Sequence, residues 1–63
     1  MLFIECLNAD NNSLEYFNLD KVLSIKPLPN NTTKLLMGAG LYHFVLTDTI
    51  KLVNINDILK SGL

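Results

Sequence analysis

An apolar segment that folds back on itself most limits what this chain can become. Two runs of aliphatic and aromatic residues, Leu35 to Met37 and Leu41 to Leu46, are separated by Gly38-Ala39-Gly40. Bounded runs of this composition are typical of β-strands. Glycine adopts the positive φ that a three-residue hairpin loop requires. The sequence therefore predicts a β-hairpin that is apolar on both faces, since only His43 interrupts the second run.

A chain of this length has little means of covering such a hairpin. It has 63 residues, and a domain of that size removes only about 60% of its extended-chain surface from water. Disulfides, a metal ion or oligomerisation are the usual compensation. Cys6 is the only cysteine and His43 the only histidine, so we expect no internal disulfide, no metal site and no cofactor. Oligomerisation is the compensation that remains, so we expect a homo-oligomer or an association with another protein.

Composition and charge narrow the class of partner. Charged residues make up 17% of the chain, against about 25% in typical soluble domains. The net charge is −1 and all five basic residues are lysines, so nucleic acid is a disfavoured partner and an anionic membrane is not expected. No signal peptide is recognised at Met1 to Ile4, which predicts a cytoplasmic protein. Abundant Asn, Ile and Lys without Arg is typical of an AT-rich bacterial or phage genome.

The first half of the chain alternates strands and turns. Leu2 to Leu7 predicts a strand with Ile4 and Cys6 on one face. An Asn-rich loop follows at residues 8–13. Leu14 to Lys26 predicts one bent strand, or two strands broken at Asn18 to Lys21, where a bulge or a turn would lie. Prolines and asparagines at residues 27–31 predict a second loop.

The last third of the chain is ambiguous between helix and strand. Thr47 and Thr49 are suitable N-caps, and apolar residues then recur at helical spacing, which favours a helix from Asp48 to Lys60 with Gly62 as its stop. Several β-branched residues favour the alternative, a strand from Ile50 to Ile55 followed by a single turn. The whole chain is then one α+β domain: a small, mainly antiparallel sheet of four or five strands that can curl toward a barrel, with a C-terminal helix.

The order of these elements resembles that of FlbD-type short flagellar proteins. The resemblance lies in the opening MxxIxCLN pattern, in NLDKVLSIKPLPNNT, in LLMGAGLYHFVL and in TDTIKLVNI. It covers most of the chain through the sequence of strands, turns and apolar positions. It implies a cytoplasmic accessory protein without catalytic residues.

No set of residues in the sequence predicts catalysis. We interpret Cys6 as a small buried hydrophobe, because it lies in an apolar row with no positive group beside it. His43 is interpreted as a strand or interface residue for lack of a reaction partner. Glu5 and Glu15 could meet across strands, where a solvent-facing pair is expected. The sequence thus predicts no enzyme.

The function predicted is that of a non-enzymatic structural or adaptor module that acts through self-association or protein binding. The interface would contain Leu36, Tyr42, Phe44, Leu46, Leu52, Ile55 and Leu59. The alternative is a small β protein that binds RNA or single-stranded nucleic acid by base stacking. Its aromatic residues would be Phe3, Tyr16, Phe17, Tyr42 and Phe44, and its phosphate contacts Lys21, Lys26 and Lys34.

Overall fold

A computed structural model describes residues 1–61. In this range six strands are followed by one helix, and the strands form two antiparallel three-stranded sheets. The first sheet has the order β2-β1-β6 and the second β3-β4-β5. The elements are β1 (Leu2–Leu7), β2 (Leu14–Asn18), β3 (Val22–Leu28), β4 (Thr32–Met37), β5 (Tyr42–Leu46), β6 (Lys51–Asn54) and α1 (Ile55–Ser61). The predicted antiparallel β fold with a C-terminal helix is confirmed, but the prediction of four or five strands was too low, and the strands form two sheets instead of one.

The first sheet is built around β1, whose predicted bounds are confirmed. Ile4 and Cys6 point into the core and are 2% and 1% exposed. The Asn-rich loop that follows is held by its own side chains. Asn8 Oδ1 accepts from the backbone N–H of Asp10 at 2.8 Å and of Asn11 at 3.3 Å. This is the local bonding that makes asparagine common in turns.

Strands β2 and β3 are separated by a 3-10 turn at Leu19–Lys21. Of the two alternatives for Leu14 to Lys26, two strands broken at Asn18 to Lys21 is therefore the correct one. The register of β3 against β4 shifts between Val22 and Ser24, so a bulge lies at the start of β3 and not within the break. A bulge leaves one residue unpaired and increases the local twist.

The connection between β3 and β4 is shorter than the predicted loop. Leu28 pairs with Thr32, and Asn30 and Asn31 have φ of 64° and 58°. Pro27 lies within β3, where the sequence predicted a loop. An edge strand tolerates proline because one side of its backbone needs no partner in the sheet.

The hairpin of β4 and β5 forms as predicted around Gly38–Gly40. The backbone N–H of Met37 donates to Leu41 O at 2.8 Å and closes the turn. Positive φ occurs at Ala39 (65°) and Gly40 (72°). Ala39 thus takes a conformation that favours glycine.

The two sheets share a small core. Its buried apolar residues are Ile4, Cys6, Leu35 and Val45, and Thr33 is buried beside them. A bridge between Asn8 and Val45 joins the end of β1 to β5. The Thr33 and Thr47 hydroxyl oxygens lie 2.7 Å apart, which satisfies the one buried polar side chain of the core in residues 1–61.

The predicted helix from Asp48 to Lys60 was wrong in its first half. Thr47–Thr49 forms a 3-10 turn, Lys51–Asn54 forms β6, and the helix begins only at Ile55. Thr49 is held by long-range contacts, since its Oγ1 accepts from the Leu7 N–H at 2.9 Å. Pairing with β1 therefore outweighs the local capping signal, as the strand alternative at residues 50–55 anticipated. Gly62 lies outside the described residues. The short helix α1 lacks the length and apolar character needed to span a bilayer.

Candidate protein-interaction surface

The outer face of the second sheet is the candidate site. Thr33, Leu35 and Val45 point into the core, and alternate residues of a strand point to opposite sides of the sheet. The remaining residues of β4 and β5, with their partners on β3, therefore face outward. We call this surface the lysine–aromatic face. It consists of Ser24, Lys26, Leu28, Thr32, Lys34, Leu36, Tyr42, Phe44 and Leu46.

Cross-strand pairing arranges these nine residues in three rows. The middle row contains Lys26, Lys34 and Phe44. The two flanking rows are mainly apolar: Ser24, Leu36 and Tyr42 on one side, and Leu28, Thr32 and Leu46 on the other. Residues directly opposite one another have Cβ atoms about 4.5–5.5 Å apart. The face is thus continuous, with two apolar rows around a row that carries two positive charges.

The aromatic residues of this face are open to solvent. Tyr42 and Phe44 are 53% and 43% exposed, whereas Leu36 and Leu46 are half-buried. Exposed aromatic side chains grouped on one surface are typical of interaction sites. The inner side of the same hairpin is covered by the chain itself, since Leu35 and Val45 have no exposed surface.

The charges of the face are all of one sign. Lys26 and Lys34 are direct cross-strand partners, and none of the nine residues is acidic. Within residues 1–61 neither ammonium group forms a salt bridge. Lys34 Nζ lies 4.8 Å from the centre of the Tyr42 ring, a cation–π contact. Like charges in directly opposite positions destabilise a sheet, so the pairing of the two lysines is itself unfavourable in the isolated chain.

The structure brings four of the seven predicted interface residues together. Leu36, Tyr42, Phe44 and Leu46 all belong to the lysine–aromatic face. The other three lie elsewhere. Leu52 is on β6 opposite Ile4 and is 60% exposed, and Ile55 and Leu59 are in α1. The helical row that would have joined Leu52 to Leu59 does not exist, because Leu52 is in a strand.

Sequence reasoning did not assign Leu28 or the two lysines to this interface. Leu28 was expected in a loop, and the bulge near Val22 shifts the alternation of β3. Lys26 and Lys34 were grouped with Lys21, which the structure places in the 3-10 turn outside the face. The register of β3 against β4 is the signal that unites the lysines, and it becomes visible only in the sheet.

The outer face of the first sheet is electrostatically different. Lys51 Nζ lies 3.0 Å from Glu5 Oε1, and Tyr16 is the other cross-strand partner of Glu5. Burial and a hydrogen bond to Glu5 raise the pKa of the Tyr16 phenol. The predicted meeting of Glu5 with Glu15 was wrong, because Glu15 pairs with Cys6 and points to the opposite side of the sheet.

The residues considered for chemistry have structural roles. Cys6 is a buried hydrophobe as predicted. Burial, with a smaller effect of Glu15 and Glu5, raises the pKa of its thiol to about 11, so the thiol is protonated at neutral pH. The His43 ring lies 4.7 Å from the Phe17 ring on the inner side of the sheets. Within residues 1–61 no group of three or more potential ligands could hold a metal ion, and no pocket is present.

Comparisons of the chain with family models, curated proteins and solved structures found no match. The resemblance to FlbD-type proteins therefore stays a prediction. The fold and the candidate site together define a small β-rich domain with exposed aromatic side chains on the outer face of its second sheet.

Proposed function

We propose that the protein is a non-enzymatic structural or adaptor module of the cytoplasm, which acts through self-association or protein binding at the lysine–aromatic face. The observation that carries the proposal is the exposure of Tyr42 and Phe44, 53% and 43%, on a hairpin whose inward-facing Leu35 and Val45 are fully buried. Large aromatic side chains on a rigid surface contribute most of the binding energy in many interfaces.

The rigidity of the hairpin supports this proposal. Leu35 and Val45 anchor β4 and β5 in the core, and their neighbours Leu36 and Phe44 point outward from the same backbone. Side chains held in this way lose little conformational freedom when a partner binds. A sheet face without a pocket suits a macromolecular partner better than a small ligand, because small molecules bind in concave sites.

Site-specific photo-crosslinking in cells tests the proposal. A photoreactive phenylalanine analogue is placed at position 44 in one variant and at position 14 in the other. Leu14 is a matched control, since it is 55% exposed but belongs to β2 in the other sheet. We expect protein adducts, with a second copy or with another protein, from position 44 and few from position 14. Adducts from neither position, or only from position 14, would contradict the proposal.

RNA binding is a second candidate because Lys26 and Lys34 lie beside the two aromatic residues. Stacking of bases on aromatic rings next to positive charges is a common mode of single-strand recognition. Titration with polyuridine tests this candidate, because binding through phosphates must weaken steeply between about 50 and about 200 mM salt. If polyuridine does not bind at the lower salt concentration, this candidate is excluded.

A further inference from the structure

We infer that the lysine–aromatic face binds an acidic segment of another protein, in which a carboxylate group is flanked by apolar side chains. This inference rests on the proposed function and specifies the chemistry of the partner. It starts from the three rows of the face, one row with two positive charges between two apolar rows.

The lysine pair is the first argument. Lys26 and Lys34 stand opposite each other without a carboxylate on the face, and their repulsion is a cost to the isolated chain. A carboxylate from a partner placed between the two ammonium groups would accept hydrogen bonds from both. Such charge-assisted bonds are stronger than neutral ones. The partner would thus replace a repulsion by two attractions.

The same pair disfavours a second copy as the occupant. A two-fold dimer brings the same patch of both subunits together. Contact through this face would therefore collect Lys26 and Lys34 of both copies at the centre of the interface, where no acidic residue is available. Like charges brought together at an interface suppress association. The charges thus favour a partner of a different chemistry.

The apolar rows disfavour nucleic acid. A single strand needs a positive groove along its phosphates, whereas this face holds only two lysines and the whole chain has a net charge of −1. Leu28, Leu36 and Leu46 offer aliphatic surface, which suits apolar side chains. Rows of one face are separated by two residues, about 6.6–6.8 Å along a strand. An extended peptide with apolar, acidic and apolar residues at alternate positions has the same spacing.

Fluorescence anisotropy with three polymers tests the inference: a random copolymer of glutamate and tyrosine, polyglutamate, and polyuridine. The probe is the labelled polymer, and the full-length protein is titrated into it at about 50 mM salt. We expect the copolymer to bind most tightly, because it alone supplies both carboxylates and apolar rings. Polyuridine should bind at least about tenfold more weakly, a difference of about 1.4 kcal/mol.

Two double variants with equal net charge separate the face from the general charge of the protein. Lys26→Gln with Lys34→Gln should weaken copolymer binding at least about tenfold. Lys21→Gln with Lys60→Gln removes two exposed lysines outside the face and should leave binding within about twofold. Both proteins are first shown to be folded by thermal melting. Removal of the lysine pair relieves a repulsion but also removes the contact of Lys34 with the Tyr42 ring, so its variant should melt close to the wild type.

The inference is overturned if the copolymer does not bind, if polyuridine binds as tightly, or if both double variants weaken binding equally. These failures differ from failure of the proposed function. Photo-crosslinks from position 44 to a second copy, without copolymer binding, would leave the proposed function standing and refute the acidic partner. Absence of crosslinks and of copolymer binding would refute both.

Discussion

The two outer faces of this small protein are built alike and differ in their charges. In the first sheet the middle row is Tyr16, Glu5 and Lys51, with a salt bridge of 3.0 Å between the latter two. In the second sheet the corresponding central row contains Lys26 and Lys34 side by side. Each row has three residues in direct cross-strand register, but only the first contains both signs of charge.

The difference shows which face has its charges paired by residues of the same chain. Glu5 forms an ion pair with Lys51 and has Tyr16 as its other cross-strand partner, so its charge is balanced within the face. The lysines of the other face have no counterpart within residues 1–61 except the Tyr42 ring beneath Lys34. An exposed salt bridge contributes at most about 1 kcal/mol. The two faces therefore differ mainly in their unpaired charges, and only slightly in how much their charges stabilise the fold.

The largest expected change in stability tests whether the lysine–aromatic face is dispensable for folding. Leu35→Ala should lower the free energy of unfolding by about 2–5 kcal/mol, since Leu35 has no exposed surface. Leu36→Ala, one residue away on the outer face, should cost about 1 kcal/mol or less. Urea denaturation measures both, and Leu35→Val replaces the first variant if it fails to fold. Equal costs would show that the outer face is part of the core.

The second test concerns the buried Cys6, which lies in the core beneath the first sheet. Because burial raises the pKa of the Cys6 thiol from 9.0 to about 11, the folded state holds this proton more tightly than the unfolded chain does. The resulting stability is complete below about pH 9 and is lost as the pH rises to about 11. A loss on the order of 2–3 kcal/mol is expected. Cys6→Ala should lack this part of the decline in urea denaturation between pH 8.5 and 11, whereas parallel curves would show that the thiol is not desolvated.

Charge reversal tests the comparison most directly. Glu5→Lys places like charges opposite Lys51 and should destabilise the fold by about 0.5–1 kcal/mol. Lys26→Glu places opposite charges beside Lys34 and should stabilise it by about 0.2–1 kcal/mol. Thermal melting at low salt gives both values, and added salt should reduce both. If the two reversals shift stability in the same direction, the two faces do not differ as described.

The smallest expected change in stability concerns the turn that joins β4 and β5. Ala39 has a φ of 65° and no tertiary requirement for its methyl group is apparent. Ala39→Gly should stabilise the protein by about 0.5 kcal/mol, the net of relieved left-handed strain and greater freedom of the unfolded chain. Ala9→Gly, at a residue without positive φ, serves as the control and should destabilise. A destabilising Ala39→Gly would show that the strain is negligible.

Local sequence patterns were sufficient to predict the elements that depend only on residues close together in the chain. β1, the Asn-rich loop and the Gly38–Gly40 hairpin were predicted because alternation and turn residues specify them within a few residues. The predicted start of the helix was wrong because Thr49 and the residues of β6 bond to β1, which lies more than 40 residues earlier in the chain. Local capping signals carry no information on such pairing.

The candidate site divides in the same way. The hairpin residues Leu36, Tyr42, Phe44 and Leu46 could be grouped from the sequence, because the turn fixes the register of the two strands. Lys26 and Lys34 could not be placed opposite each other, because a bulge shifts β3 and Pro27 was expected to end it. A shift of one residue moves every side chain of a strand to the other face.

The sequence by itself determined that this chain forms turns at its Asn-rich and Gly-rich segments and a hairpin of two apolar runs around the Gly-rich turn. Only the tertiary structure decided which side of that hairpin is buried and which charges lie beside the exposed side. The physical reason is that turns depend on neighbouring residues, whereas burial and charge pairing depend on which strands meet.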